Sequence, residues 1–154
     1  MFRILMVDDN PADVQIVRIL NRTLQRPHEF YACPNGPDGL DFLHCRGPYR
    51  DAPHPNLILL DVNMPGMSGL EVLAAIKGDP ELAAIPVIML STSRSPEDIQ
   101  RAYRTHANCY CEKPAELNAG ERLIKAIETF WMDVALLPSF DEHEHHGKSA
   151  LALP

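Results

Sequence analysis

Four short segments, each closed by a residue with chemistry to offer, constrain this chain more than any other feature. Ile4-Leu5-Met6-Val7 runs into Asp8-Asp9, and Leu57-Ile58-Leu59-Leu60 into Asp61. Val87-Ile88-Met89-Leu90 runs into Ser91-Thr92, and Asn108 to Glu112 into Lys113 and Pro114. Helix-like stretches separate these segments, and a βαβα alternation implies a parallel sheet flanked by helices. In such sheets ligands bind beyond the carboxyl ends of the strands, where strand order reverses. If the segments are parallel strands, Asp8, Asp9, Asp61, Ser91 and Lys113 gather on one edge.

The intervening patterns fit. Asn10-Pro11 supplies a cap and a first-turn proline for a helix with Val14, Val17, Leu20 and Leu24 as its stripe. Glu29 to Cys33 reads as a second strand. Asn35-Gly36-Pro37 turns into a second helix carrying Leu40 and Leu43. Gly47, Pro48, Pro53 and Pro55 make the stretch from Arg46 to Asn56 a loop, either a solvated connection or a partner surface. Ser68 with Glu71 is a capping box for a third helix with Leu70, Leu73 and Ile76. Ser95-Pro96-Glu97-Asp98 opens a fourth. A fifth is expected from about Ala115 to Leu136.

The 154 residues suffice for one domain with an ordinary core. A net charge of -7 without a Lys/Arg cluster argues against nucleic-acid binding. No apolar stretch approaches the roughly 20 residues that span a bilayer. Asp8 comes too early for a signal peptide, so the expected location is cytoplasmic. Cys33, Cys45, Cys109 and Cys111 contain no CxxC pair and read as free thiols, with Cys109 and Cys111 facing the same side of a strand. Residues 1–137 read as the folded domain and 138–154 as a mobile tail. In that tail His143, His145 and His146 are either metal ligands or incidental to a solvated terminus.

Three carboxylates held together repel one another and need a cation. Lys113 is one. A hard divalent ion is another, and Mg²⁺ suits oxygen ligands at an edge without histidine or cysteine. A carboxylate beside such an ion can attack phosphorus and become an acyl phosphate. The ion, Lys113 and Ser91 would meet the charge on the transferring group, and Asp61, on the central strand, is the natural nucleophile. Singly, each residue has an ordinary reading: turn, cap or solvated charge. Their conjunction at successive strand ends carries the argument.

These residues resemble the receiver domain of two-component response regulators. The matching pieces are Val7-Asp8-Asp9, Leu60-Asp61-Val62-Asn63-Met64-Pro65 followed by Ser68-Gly69, Leu90-Ser91-Thr92, and Tyr110 through Lys113-Pro114. The resemblance implies a flavodoxin-like (βα)5 fold, a doubly wound parallel sheet of order 2-1-3-4-5. It makes Asp61 the phosphoacceptor from a histidine kinase. Asp9, Asp61 and the backbone carbonyl of Asn63 become Mg²⁺ ligands, and Asp8 acts mainly through water on the ion. Ser91 becomes the switch hydroxyl, Lys113 the phosphate-contacting ammonium, and Tyr110 the aromatic partner that moves when Ser91 does. His106 to Tyr110, Thr129-Phe130-Trp131 before Leu137-Pro138, and the proline-bearing loop resemble single-domain regulators of bacterial phytochromes. Glu112 is an acidic departure beside Lys113.

Output would pass by protein contact. The fifth helix carries Leu123, Ile124, Ile127, Phe130, Trp131, Val134 and Leu137, a stripe wider than one sheet face needs. A homodimer through the face of helix 4, strand 5 and helix 5 is expected, the alternative being that the whole stripe packs in the core. Two other classes stay open: an Mg²⁺-dependent aspartyl phosphohydrolase, and an interaction module that never takes phosphate. No Walker A loop or GxGxxG turn supports a nucleotide-binding protein.

Overall fold

The computed structural model describes residues 1–140. The elements are β1 (Phe2–Val7), α1 (Pro11–Asn21), β2 (His28–Cys33), α2 (Gly36–Leu43), β3 (Leu57–Leu60), α3 (Gly69–Gly78), β4 (Val87–Ser91), α4 (Pro96–Arg104), β5 (Cys109–Glu112) and α5 (Leu117–Ile127). A 3-10 turn at Gly47–Tyr49 interrupts the expected loop, and a π-helical segment, Glu128–Val134, follows α5. The five strands form one sheet in the order β2-β1-β3-β4-β5, every neighbouring pair parallel. The expected flavodoxin-like topology is therefore present.

The central runs are apolar throughout because helices cover both faces. Alternation along the strands divides the core in two. Leu5, Val7, Ile58, Leu60, Val87 and Met89 meet Phe42, Val72, Leu73 and Ile76 on one face. Ile4, Met6, Leu57, Leu59, Ile88 and Leu90 meet Val17, Leu20, Ile124 and Ile127 on the other.

Helix starts follow the sequence signals. Asn10 caps α1 through the Ala12 and Asp13 amides, and Asn35 caps α2 through Asp38. Ser68 and Glu71 form both halves of the capping box on α3, and Ser95 caps α4. The 3-10 turn sets Tyr49 against Phe42, ring centroids 5.7 Å apart, so part of the 46–56 loop belongs to the core.

The fifth helix departs from expectation. It is α-helical only to Ile127, then widens into the π segment. The physical reason is Glu128, which is buried. Its carboxylate accepts the backbone N–H groups of Gln25 and Arg26, which lie between α1 and β2. Arg26 and Asp133 form a second tie across the same junction. The apolar stripe is consequently split. Ile124 and Ile127 are buried, Leu123 and Trp131 are half-buried, and Phe130 and Val134 are 52% and 64% exposed.

Burial alone would raise the Glu128 carboxyl, but the amides of Arg26 and Gln25 hold it below the usual range. Because its folded value is depressed, its stabilisation is present above the unfolded value and fades as pH falls through the folded one. Glu128→Gln should cost about 1–3 kcal/mol in urea unfolding at pH 7, with the deficit shrinking toward acid pH. The His143, His145 and His146 group, and the expected mobile tail beyond residue 140, lie outside the described residues.

Candidate functional site

Strand register builds the site. Val7 pairs with Leu60 across β1 and β3, so Asp8 and Asp61 follow side by side at the switch point. The ladder continues beyond the strands: the Asp61 amide donates to the Val7 carbonyl at 3.0 Å, and the Lys113 amide to Ser91 at 2.8 Å. The Asp8 amide donates to Cys33 at 3.1 Å. Main-chain bonds thus fix where each side chain begins.

Behind Asp61 the chain turns sharply into α3. Gly69 sits so close that an added Cβ would lie 1.7 Å from the Asp61 carbonyl oxygen. Only a glycine lets the α3 N-terminus pack on this backbone.

Asp8 and Asp61 are buried, and Asp9 is exposed at the mouth. One carboxylate oxygen from each lies within 4.8 Å of the other two. Burial, reinforced by Asp8, pushes the Asp61 carboxyl up to about 6, against the pull of Lys113 and the Asn63 amide. Burial likewise raises Asp8. The same burial works against the Lys113 ammonium, but hydrogen bonding to Asp13 and Asp8 overcomes it and raises the amine above its usual range.

Lys113 reaches farther across the sheet edge than strand order suggests. Its Nζ is 2.8 Å from Asp8 Oδ2, 2.8 Å from Asp13 Oδ2 and 3.4 Å from Asp61 Oδ2. The Asp8 oxygen is buried, and the ammonium is its ion-pair partner. Three carboxylate oxygens gathered this closely, with Asp8 and Asp61 raised by burial, fit a hard divalent cation. Asp13 escaped the sequence reading, because an acid in a first helical turn reads as a complement to the helix dipole.

Ser91 is fully buried at the end of β4, where its Oγ accepts the Ser93 amide at 3.1 Å. The Ser93 carbonyl accepts the Tyr110 hydroxyl at 2.9 Å, and the Ser93 hydroxyl donates to Asp98 at 2.7 Å. Ser91 and Tyr110 are therefore linked through the β4–α4 loop. Glu112 is exposed and pairs with exposed Arg94 at 3.6 Å. Cys109 and Cys111 share a side of β5, their sulfurs 3.5 Å apart, and all four cysteines are free.

A doubly wound α/β fold with an acid pocket at its switch point, reached by the ammonium of a half-buried lysine, defines a class of phosphoryl-accepting signalling domains. The chain belongs to the response regulator receiver domain family, which covers residues 4–137. It is 40% identical over 136 residues to response regulator Rcp1 of Synechocystis sp., spanning 88% of this chain and 92% of that one. The Mn²⁺-bound form of response regulator Rcp1 superposes with a TM-score of 0.84 at 39% identity, covering 90% of this chain and all of the other (100%). The phosphorylated cyanobacterial phytochrome response regulator RcpA gives 0.85 at 42% identity, covering 90% and 99%. The protein is a receiver-domain response regulator of phosphorelay signalling, related to phytochrome response regulators. Receiver domains work with histidine kinases and bind a divalent metal, and the Asp8, Asp9 and Asp61 cluster is of a kind that fits one. Among the described residues, no helix is long and apolar enough to cross a membrane.

Proposed function

We propose that Asp61 is the phosphoacceptor and that the phosphodonor is a histidine kinase of the bacterial phytochrome type. The observation that carries this is the placement of Asp61, buried at the switch point between Asp8 and the Lys113 ammonium. An Asp61 oxygen forms a bond to phosphorus as the bond from phosphorus to the histidine nitrogen breaks, that nitrogen keeping the electron pair. Asp9, Asp61 and the Asn63 carbonyl would hold Mg²⁺, with Asp8 beside it, and the ion would supply charge neutralisation. Lys113 meets one phosphoryl oxygen and Ser91 another.

To do so Ser91 gives up the Ser93 amide, and the loop tied to Tyr110 is repacked. The protein is not a turnover enzyme in this reading. It catalyses only its own phosphorylation and dephosphorylation, within a receiver unit of residues 1–137. Its free thiols suit the reducing cytoplasm, and its net charge of -7 disfavours nucleic acid as a partner.

Transfer from a phosphorylated phytochrome histidine kinase tests this directly. One equivalent should move to the protein and resist acid better than alkali, as an acyl phosphate does. Sustained turnover of a small phosphoester would instead identify a hydrolase, and no labelling an interaction module.

The output surface is a homodimer interface on the face of α4, β5 and α5. Tyr103 on α4 and Leu117 on α5 are exposed apolar groups there, whereas Phe130 and Val134, beyond α5, line a groove with Thr23 and Leu24. Leu117→Glu should shift sedimentation from dimer to monomer while leaving the far-UV spectrum unchanged. A dimer that survives the charge would place the interface elsewhere.

A further inference from the structure

We infer that Asp13 is the resting partner from which a phosphoryl group draws the Lys113 ammonium, so that it restrains phosphoryl uptake without affecting phosphoryl loss. The inference rests on Asp61 as the phosphoacceptor.

The ammonium touches Asp8 and Asp13 equally, at 2.8 Å each, and lies farther from Asp61, at 3.4 Å. Those two contacts differ in what leaving them costs. The Asp8 side chain is 0% exposed, so without the ammonium or another cation its charge has no water to turn to. The Asp13 side chain is 28% exposed and can exchange the ammonium for water. Asp13 also stands in the first turn of α1, capped by Asn10, where the helix dipole favours a carboxylate without help from lysine. Asp13 is thus the partner that Lys113 can release.

A phosphoryl group on Asp61 brings anionic oxygens to the side where the ammonium is now 3.4 Å away. Lys113 turns toward them, keeps Asp8 and gives up Asp13. Breaking that pair is part of the climb from the resting state. Once phosphoryl is in place the pair is already broken, so hydrolysis does not encounter it. Asp13 is a positioning residue acting through Lys113.

The test uses the whole chain with Asp13→Asn and Asp13→Glu, acetyl phosphate as donor, and saturating Mg²⁺. Asp13→Asn should raise the uptake rate constant about threefold or more, the scale of one partly exposed ion pair. The half-life of the acyl phosphate after donor removal should change by less than about twofold, and Asp13→Glu should keep native uptake. In the metal-free resting protein, the Lys113 ammonium should give a protected nitrogen–proton NMR signal that Asp13→Asn weakens. Unchanged or slower uptake, a half-life that moves in parallel with uptake, or an unaltered ammonium signal would each overturn the inference. A native chain that takes no phosphate at all would instead sink the reading of Asp61, a result separable from these.

Discussion

Asp61→Asn should abolish phosphoryl uptake from acetyl phosphate and from a kinase, leaving no adduct by intact mass where the native chain gains one. The amide is isosteric with the carboxylate but cannot attack phosphorus. The same variant should be more stable than the native chain when metal is absent. Burial and Asp8 hold the native carboxyl up at about 6, above the ordinary 3.8. A group raised in the fold contributes stability below its unfolded value and loses that contribution as pH rises through the folded one. Near pH 8 the native carboxylate is therefore charged against its surroundings, at a cost on the order of 2–3 kcal/mol. The metal-free variant should melt several degrees above the metal-free native chain at pH 8, and at nearly the same temperature at pH 4. Divalent metal should reverse the order, because it stabilises the native carboxylate cluster far more than the amide. Equal melting at pH 8 without metal would mean that the acid cluster is not strained.

Gly69→Ala should be the most damaging single-methyl change near the site. The new Cβ would meet the Asp61 carbonyl oxygen at 1.7 Å and its carbonyl carbon at 2.7 Å, both backbone atoms that no rotamer change can move. Either α3 retreats or the β3 end bends, and an expected loss of about 3 kcal/mol or more follows. Because the displaced atoms belong to Asp61 itself, uptake should also slow by about tenfold or more, consistent with the cost of ångström-scale misplacement. Gly78→Ala is the control on the same helix. Nothing lies within 4 Å of its added Cβ, and the change should be neutral or stabilising by up to about 1 kcal/mol in urea unfolding. Matching losses in the two variants would show that helix propensity, not the close approach, governs α3.

Much of this was legible from one dimension. Unbroken apolar runs such as Leu57 to Leu60 implied a sheet covered on both faces, and two distinct helix layers cover it. Asn10, Asn35, Ser68 and Ser95 announced their helices because capping is a contact between residues two or three apart. Asp8, Asp9, Asp61 and Lys113 could be grouped because parallel strands deliver their carboxyl ends to one edge. The end of the fifth helix could not be read. Its apolar stripe continues through Trp131, but the conformation is set by Glu128 reaching amides more than 100 residues earlier in the chain.

The sequence by itself determined the alternation of elements, the edge on which the chemistry collects, and the identity of the groups there, since these follow from local periodicity and strand direction. Tertiary structure alone decided how Lys113 divides its charge among Asp8, Asp13 and Asp61, how tightly α3 sits on Asp61, and which apolar residues past Ile127 remain exposed. Each of those depends on distances between segments that are remote in the chain. A few tenths of an ångström, or the burial of one carboxylate, changes the energy by more than any local preference does.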